Sequence, residues 1–250
     1  VAPHSLRAVS RGTLSQVGEM RPGGPVHIHI AEQVAEVTEV QAAWGARPVD
    51  WACANLPIDA RWCMIHATQM TPSETAALAR TGAVAGLCPI TEANLGDGIF
   101  DGPGWVAAGG AFGVGTDSNV RISLPEELRV LEYSQRLALK ARAVMADHRS
   151  TGRFLWDGVL RGGAMAAGRP TGAIAPGMWA DLMAPDMGDL RLEAFAGDQM
   201  LDAFVFSGRD GLVRDLWSAG RHIVQDGRHI ARDAVAARFR ATMSRLRAAL

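Results

Sequence analysis

Four short apolar segments recur along the first half of the chain, and they constrain its fold more than any other feature. They cover residues 25–30, 62–67, 83–89 and 111–116. Each is almost continuously apolar, which is typical of parallel strands that are covered on both faces. Segments with helix signals lie between them. The sequence therefore predicts repeated βα units, and hence a parallel sheet or barrel.

Two of the intervening segments begin with marked helix signals. Thr71, Pro72 and Glu74 give a capping-box pattern with proline at the first helical position. Residues 123–126 repeat this arrangement as Ser-Leu-Pro-Glu. From there the spacing predicts an amphipathic helix that extends to about Met145. The predicted buried face of this helix contains Leu124, Leu128 and Leu131.

The pattern changes after about Arg169, where short strand-like runs replace the βα alternation. Asp226-Gly227 is a strong hairpin signal between two of these runs. The last residues predict a terminal helix. The sequence thus predicts three parts, which are a strand–helix domain over residues 1–169, a β-rich module over 170–233 and a helix over 234–250.

Composition argues against several classes of function. The formal net charge is −1, so the chain has no excess of positive charge for nucleic-acid binding. No apolar run approaches the length that is needed to cross a bilayer. Cys53, Cys63 and Cys88 form no Cys-x-x-Cys pair and have apolar neighbours. We therefore expect them to be reduced core residues of a cytoplasmic protein.

Histidine and carboxylate side chains follow the predicted strands. His4 ends a stub that reads as the end of a buried strand, and His29 and Glu32 follow the next strand. His66 and Asp117 follow two later ones. Each residue alone is more often structural. In a barrel, however, all of these strand ends open onto the face where active sites are built. Imidazole and carboxylate groups together suit zinc, so the joint pattern favours a metal site.

Several segments resemble known strand motifs. Three segments, at residues 25–33, 62–68 and 113–119, resemble the fifth, sixth and eighth strands of the deaminase branch of the amidohydrolase superfamily. Three other segments resemble more narrowly the formimidoylglutamate deiminases. They are residues 2–9, 88–98 and 117–128. Residues 172–182 resemble the small β-sandwich of the superfamily. The resemblance implies a partial (β/α)8 TIM-type barrel, from about strand four to strand eight, with part of a β-sandwich.

The superfamily also carries a His-x-His motif on its first strand, for which His27-x-His29 could be mistaken. Only two strand signals separate His29 from the strand before Asp117, so the pair belongs to strand five. We therefore expect strands one to three and the first-strand histidines to lie upstream, which makes the chain a fragment. His27 lies one layer deeper than His29, and we expect it to be structural.

The resemblance also implies a ligand set and catalytic residues. It implies one zinc ion per active site, bound by His29, Asp117 and two upstream histidines. It further implies that Glu32 and Asp117 handle protons and that His66 orients or polarises the attacking group. The implied activity is hydrolysis of N-formimidoyl-L-glutamate to N-formyl-L-glutamate and ammonia.

The substrate implied by the resemblance has two carboxylates, which favour guanidinium partners. Arg7 with His4 beside it is the first choice for this role, and Arg121 is a weaker candidate. The resemblance also implies a possible homodimer. Two alternatives stay open: a related deaminase that acts on a purine or pyrimidine, and a non-catalytic remnant of such an enzyme.

Overall fold

The computed structural model describes residues 1–249 and contains two four-stranded sheets. The first is parallel, with strands in sequence order, and consists of β1 (Val26–Ile30), β2 (Trp62–His66), β3 (Val84–Leu87) and β4 (Ala111–Val114). The second is antiparallel and consists of β5 (Leu182–Pro185), β6 (Val213–Ser218), β7 (Arg221–Gln225) and β8 (Arg228–His229). The four apolar runs therefore form the predicted parallel strands.

Helices connect the parallel strands and flank both sheets. In chain order they are α1 (Arg11–Met20), α2 (Val34–Trp44), α3 (Pro48–Asn55), α4 (Pro72–Ala79), α5 (Pro89–Leu95), α6 (Gly102–Ala107), α7 (Leu124–Leu139), α8 (Thr151–Ala167), α9 (Asp198–Asp202) and α10 (Arg232–Ala249). A π-helical turn covers Ala203–Ser207. None of the helices in the described part of the chain is both long and apolar enough to cross a membrane.

The main core lies on one face of the parallel sheet, where Val26, Ile28 and Ile30 of β1 are buried, whereas His27 and His29 on the other face are half-buried. Trp62 and Met64 on β2 are fully buried, and so are Trp105 and Leu128 from the surrounding helices. The register aligns Ile30 of β1 with His66 of β2, so the strands end at one edge of the sheet. This alignment brings the residues that follow each strand together.

The residues at this edge leave the strands through left-handed backbone conformations. Ala31, His66, Ala67 and Asp117 have φ values of 49°, 68°, 50° and 45°. Such angles cost a non-glycine residue about 1 to 2 kcal/mol, so they persist only where surrounding contacts hold them. The chain therefore turns sharply at the end of each of these strands and presents its side chains at the edge.

The first residues run beside β1 as a strand stub. The backbone N–H groups of His27 and His29 donate to the carbonyl oxygens of Val1 and His4, at 3.0 Å each. Ser5 forms a parallel bridge with His29. The prediction of a buried strand end is wrong, however, because Val1 and His4 are exposed. Within residues 1–249 the stub pairs with β1 alone, and its other side is open.

The capping box at Thr71 forms as predicted, but the one at Ser123 does not. The Thr71 hydroxyl accepts the Glu74 N–H, and the Glu74 carboxylate accepts the Thr71 N–H. The Ser123 side chain makes no cap bond, and the carboxylate of Glu126, the other half of the expected capping box, is bound by Arg121.

The helix after Ser123 is also shorter than predicted and packs differently at its start. It ends at Leu139 because Lys140 is left-handed with φ 53°. The chain then folds back, and the N–H groups of Val144 and Met145 donate to the Glu132 carboxylate at 2.9 and 2.7 Å. Of the three leucines predicted to be buried, Leu128 and Leu131 are buried and Leu124 is exposed.

Helix α8 packs closely on the last parallel strand through small residues. A Cβ atom at Gly162 would overlap the carbonyl oxygen of Phe112, so this position needs glycine. A Cβ atom at Gly113 on β4 would lie 3.2 Å from the backbone nitrogen of Gly163. The close approach of the two backbones fixes α8 against the sheet.

The second sheet contains the predicted hairpin. Strands β7 and β8 pair antiparallel around Asp226-Gly227, in which both residues have positive φ as a type I′ turn requires. The terminal helix α10 begins two residues before the predicted start at Ala234 and reaches Ala249. Leu250, the last residue of the predicted helix, lies outside the described residues.

Candidate active site

Three of the predicted site residues meet at the edge where the parallel strands end. Ligand atoms of His29, His66 and Asp117 all lie within 4.8 Å of one another. His29 is half-buried, His66 is buried and Asp117 is exposed, so the group opens to solvent on the Asp117 side. The imidazole rings of His29 and His66 have centroids 5.6 Å apart. Two imidazoles and a carboxylate form a donor set that zinc accepts.

The orientation of His29 is set by the strand stub. Nδ1 of His29 lies 2.8 Å from the backbone carbonyl oxygen of His4, which can only accept a hydrogen bond. Nδ1 therefore carries a proton, and the lone pair of the neutral ring is on Nε2. This is how most metal-binding histidines are oriented. The ring of His4 stacks on that of His29 with a centroid separation of 4.9 Å.

His66 lies between two carboxylates. Its Nδ1 is 3.3 Å from Oε1 of Glu92, and its Nε2 is 3.6 Å from Oε1 of Glu32. Burial by itself lowers the pKa of His66, but the hydrogen bond with Glu92 and the charges of Glu32, Glu92 and Asp117 outweigh it, and the pKa is raised. This environment favours a cationic ring.

Glu32 connects His66 to a cation. Its Oε2 accepts a hydrogen bond from the Arg7 guanidinium at 3.1 Å, while Oε1 faces His66. The buried carboxylate of Glu36, in the first turn of α2, accepts the backbone N–H groups of Ala31 and Glu32 at 3.1 and 2.8 Å. Glu36 therefore fixes the turn that carries Glu32, and its Oε2 also lies 3.8 Å from Arg7.

The loop that carries Asp117 is held by helix α5. The hydroxyl of Thr91 lies 3.1 Å from the carbonyl oxygen of Thr116, to which it donates, and 2.9 Å from the hydroxyl of Ser118. Thr116 in turn donates to the side chain of Asn119 at 2.8 Å. These bonds hold the left-handed turn at Asp117, although the Asp117 side chain itself is exposed.

Cys88 belongs to a second group of close donors, with His66 and Glu92. Burial, reinforced by the charge of Glu92, raises the pKa of the Cys88 thiol. The Glu92 oxygen in this group already accepts the Cys88 N–H at 2.9 Å. A protonated thiol beside an occupied carboxylate oxygen makes this a poor ligand set. The expectation that the cysteines are core residues is in keeping with this environment.

Other predicted positions lie where the structure gives them different contacts. Arg121 pairs with Glu126 and, at 3.2 Å, with Asp210. Its guanidinium is therefore already paired with two carboxylates of the chain. His27 places Nε2 2.8 Å from the carbonyl oxygen of Ala166 at the end of α8, as expected of a structural histidine.

Three further residues support this site although no sequence motif points to them, namely Glu36, Thr91 and Glu92. An acidic residue in the first turn of a helix is a visible signal, but it indicates only a helix start. Their partners at the site come from other strands and loops, so spacing alone does not reveal them.

A sequence model of the amidohydrolase family matches residues 1–223. The chain belongs to the amidohydrolase family. This amidohydrolase is 49% identical over 230 residues to formimidoylglutamate deiminase from Pseudomonas aeruginosa, an alignment that covers 90% of the chain and 50% of that protein. The chain spans about half the length of the curated relatives it matches.

Solved structures show the same fold. An amidohydrolase from Brucella melitensis superposes with a TM-score of 0.93 at 48% identity, covering 98% of this chain and 55% of that one. An adenosine deaminase from Xanthomonas campestris, solved with bound zinc, superposes with a TM-score of 0.88 at 23% identity, covering 99% and 57%. The last likeness bears on the fold alone.

Proposed function

We propose that this amidohydrolase hydrolyses N-formimidoyl-L-glutamate to N-formyl-L-glutamate and ammonia. The observation that carries the proposal is the arrangement of His29, His66 and Asp117 beside a Glu32–Arg7 pair. It brings two imidazoles, two carboxylates and a guanidinium into one cluster. The similarity to the Pseudomonas aeruginosa deiminase supports this choice of substrate.

One zinc ion would be held in this chain by His29 and Asp117. The fit rests on the donor chemistry: Nε2 of His29 is free because Nδ1 donates to His4, and the Asp117 carboxylate is exposed beside it. When bound, zinc would supply Lewis-acid activation of a water molecule.

Glu32 and His66 are suited to moving protons during the reaction. Water adds its oxygen to the formimino carbon, and the bond from that carbon to the terminal nitrogen breaks, so that ammonia leaves and a formyl group remains. The terminal nitrogen gains two protons to leave as ammonia, and both come from the attacking water. Glu32, with Asp117, would take these protons in turn and pass them to that nitrogen. His66, whose pKa is raised beside Glu92 and Glu32, would orient the attacking water and stabilise negative charge near Nε2.

Arg7 and His4 would bind the carboxylates of the substrate. Arg7 is about one-third exposed and belongs to the stub next to β1, so its guanidinium faces both Glu32 and solvent. The planar guanidinium can bind a carboxylate through two parallel hydrogen bonds. A substrate carboxylate would then compete with Glu32 for Arg7 and release Glu32 for proton transfer.

The architecture belongs to the same proposal. Residues 1–169 would form a C-terminal portion of a (β/α)8 barrel, with the stub and β1–β4 corresponding to about strands four to eight. Residues 170–233 would be a segment of the flanking β-sandwich, and residues 234–250 a terminal helix. The parallel strands in sequence order and the separate antiparallel sheet support this division. A homodimer and a cytoplasmic location remain predictions of the sequence.

The test is ammonia release by the complete reading frame that contains this chain, loaded with zinc. We expect release from N-formimidoyl-L-glutamate and none from guanine or cytosine, with loss of activity on chelation and recovery when zinc is restored. Release from a purine or pyrimidine instead would favour the related deaminase. No release at all from a folded, zinc-loaded protein would favour the remnant.

A further inference from the structure

Glu92 is a buried carboxylate that reaches the site from a neighbouring βα unit. It lies in the first turn of α5, after β3, whereas His66 ends β2. Oε1 of Glu92 accepts the backbone N–H of Cys88 at 2.9 Å and lies 3.3 Å from Nδ1 of His66. The side chains of Glu92 and His66 are 5% and 1% exposed, so little water competes for this contact.

The contact determines which nitrogen of His66 faces the reaction. A carboxylate can only accept, so Nδ1 must carry the proton that is shared with Glu92. Nε2 is then the atom on the side of Glu32, at 3.6 Å. The backbone of His66 and Ala67 is left-handed at this point, where the chain leaves the strand.

We propose that Glu92 is a positioning residue for the reaction, one that fixes His66 with Nδ1–H toward α5 and Nε2 toward the substrate. This inference rests on the proposed function. Glu92 touches neither substrate nor metal and acts only through His66.

A purely structural role for Glu92 makes a different prediction. Glu74 occupies a similar place in α4: it is buried, lies in the first turn after a proline, and accepts a backbone N–H from Thr71 at 2.8 Å. Glu74 pairs with Arg47 rather than with a site histidine. If Glu92 only secured its helix, Glu92→Gln and Glu74→Gln would have the same consequences. Glu74→Gln is therefore the matched control.

The kinetic test uses the zinc-loaded complete reading frame. Glu92→Gln keeps an acceptor for the Cys88 N–H but removes the charge beside His66. We expect kcat to fall about 10- to 100-fold, with KM within about threefold and zinc content unchanged. Glu74→Gln should reduce stability and leave kcat within about twofold. In a His66→Gln background, Glu92→Gln should change kcat by less than about threefold, because the residue through which it acts is gone.

A spectroscopic measurement needs neither turnover nor a folded variant. In 15N-histidine-labelled wild-type protein without substrate, the imidazole signals of His66 should show Nδ1 protonated. Nδ1 without a proton, a kcat for Glu92→Gln within twofold of wild type, or an equal loss in the His66→Gln background would each overturn the proposal. Failure of the proposed function would instead appear as a wild-type protein that releases no ammonia while the tautomer of His66 is as expected.

Discussion

The backbone carbonyl of His4 lies 2.8 Å from Nδ1 of His29, so a residue 25 positions earlier in the chain decides which imidazole nitrogen faces the candidate metal-binding group. The same stub carries Arg7, whose guanidinium binds Glu32. Residues 4–7 therefore contact both His29, the proposed zinc ligand, and Glu32, the proposed proton-transfer carboxylate.

Substituting His29 should remove zinc. His29→Ala deletes the proposed ligand atom Nε2, which the hydrogen bond from Nδ1 to His4 leaves without a proton. We expect zinc affinity to fall by at least about 100-fold. Zinc content after equilibrium dialysis is the measurement. His27→Ala, on the same strand, is the control: it loses the contact with Ala166 and should cost stability while zinc is retained. Equal zinc loss in both variants would contradict the assignment.

Neutralising Glu32 should stop turnover without releasing the metal. Glu32→Gln retains shape but cannot accept the proton of water, so kcat should fall about 10²- to 10⁴-fold. Metal analysis should show unchanged zinc. Glu39→Gln, an exposed position on α2, provides the matched control and should behave as wild type. A fully active Glu32→Gln protein would exclude the role in proton transfer.

Removing the Arg7 guanidinium should weaken substrate binding. A charge-assisted hydrogen bond to a carboxylate contributes about 1.5 to 3 kcal/mol, so KM should rise about 10- to 100-fold in Arg7→Ala. A smaller decrease in kcat is expected because Arg7 also contacts Glu32. Steady-state kinetics on zinc-loaded protein test this, with Arg21→Ala, an exposed arginine beyond α1, as control. If Arg7→Ala lost zinc, its role would be ligand support rather than substrate binding.

Glu127 should make stability pH-dependent. Burial raises its pKa from 4.5 to about 7, although the Ile90 N–H that it accepts opposes the shift. The folded state therefore holds this proton more tightly than the unfolded state, and the stability that it contributes is complete below pH 4.5 and is lost as the pH rises through about 7. Glu127→Gln should gain about 1 to 2 kcal/mol relative to wild type between pH 5 and pH 8. Urea unfolding at both pH values measures this, and a difference that is independent of pH would contradict it.

The packing of α8 on β4 should tolerate a methyl group at one glycine and not at its neighbour. Gly162→Ala would force the helix away from the Phe112 carbonyl and should destabilise the fold by about 2 to 4 kcal/mol. Gly163→Ala has open space and should be neutral or stabilising by up to about 1 kcal/mol. Thermal unfolding of the two variants separates these outcomes, and equal melting temperatures would argue against the close contact.

The parallel sheet and the positions of the predicted site residues follow from local patterns. Continuous apolar runs predict buried parallel strands, and parallel strands with matched ends place His29, His66 and Asp117 at one edge. The hairpin at Asp226-Gly227 and the capping box at Thr71 follow from turn and cap chemistry that involves only neighbouring residues. The predictions of the hairpin and of the capping box succeed because the interactions that decide them are close in sequence.

The predictions that fail depend on residues that compete from elsewhere. Ser123 has a capping-box sequence, but Arg121 takes the carboxylate of Glu126. The helix that was predicted to reach Met145 ends at Leu139, where Lys140 is left-handed, and the buried carboxylate of Glu132 accepts two N–H groups of the chain as it folds back. Side-chain partners of this kind depend on which charges are nearby in space, and a periodic pattern does not contain that information.

The sequence alone determined the strand–helix order, the ligand-type residues and the strand ends from which they come. Only the tertiary structure decided how those residues are held: His4 orients His29, Glu36 fixes the turn at Glu32, and α5 contacts both His66 and the loop of Asp117. The physical reason is that strand and helix preferences are local, whereas the protonated nitrogen of an imidazole depends on an acceptor within about 3 Å, supplied here by a residue from another part of the chain.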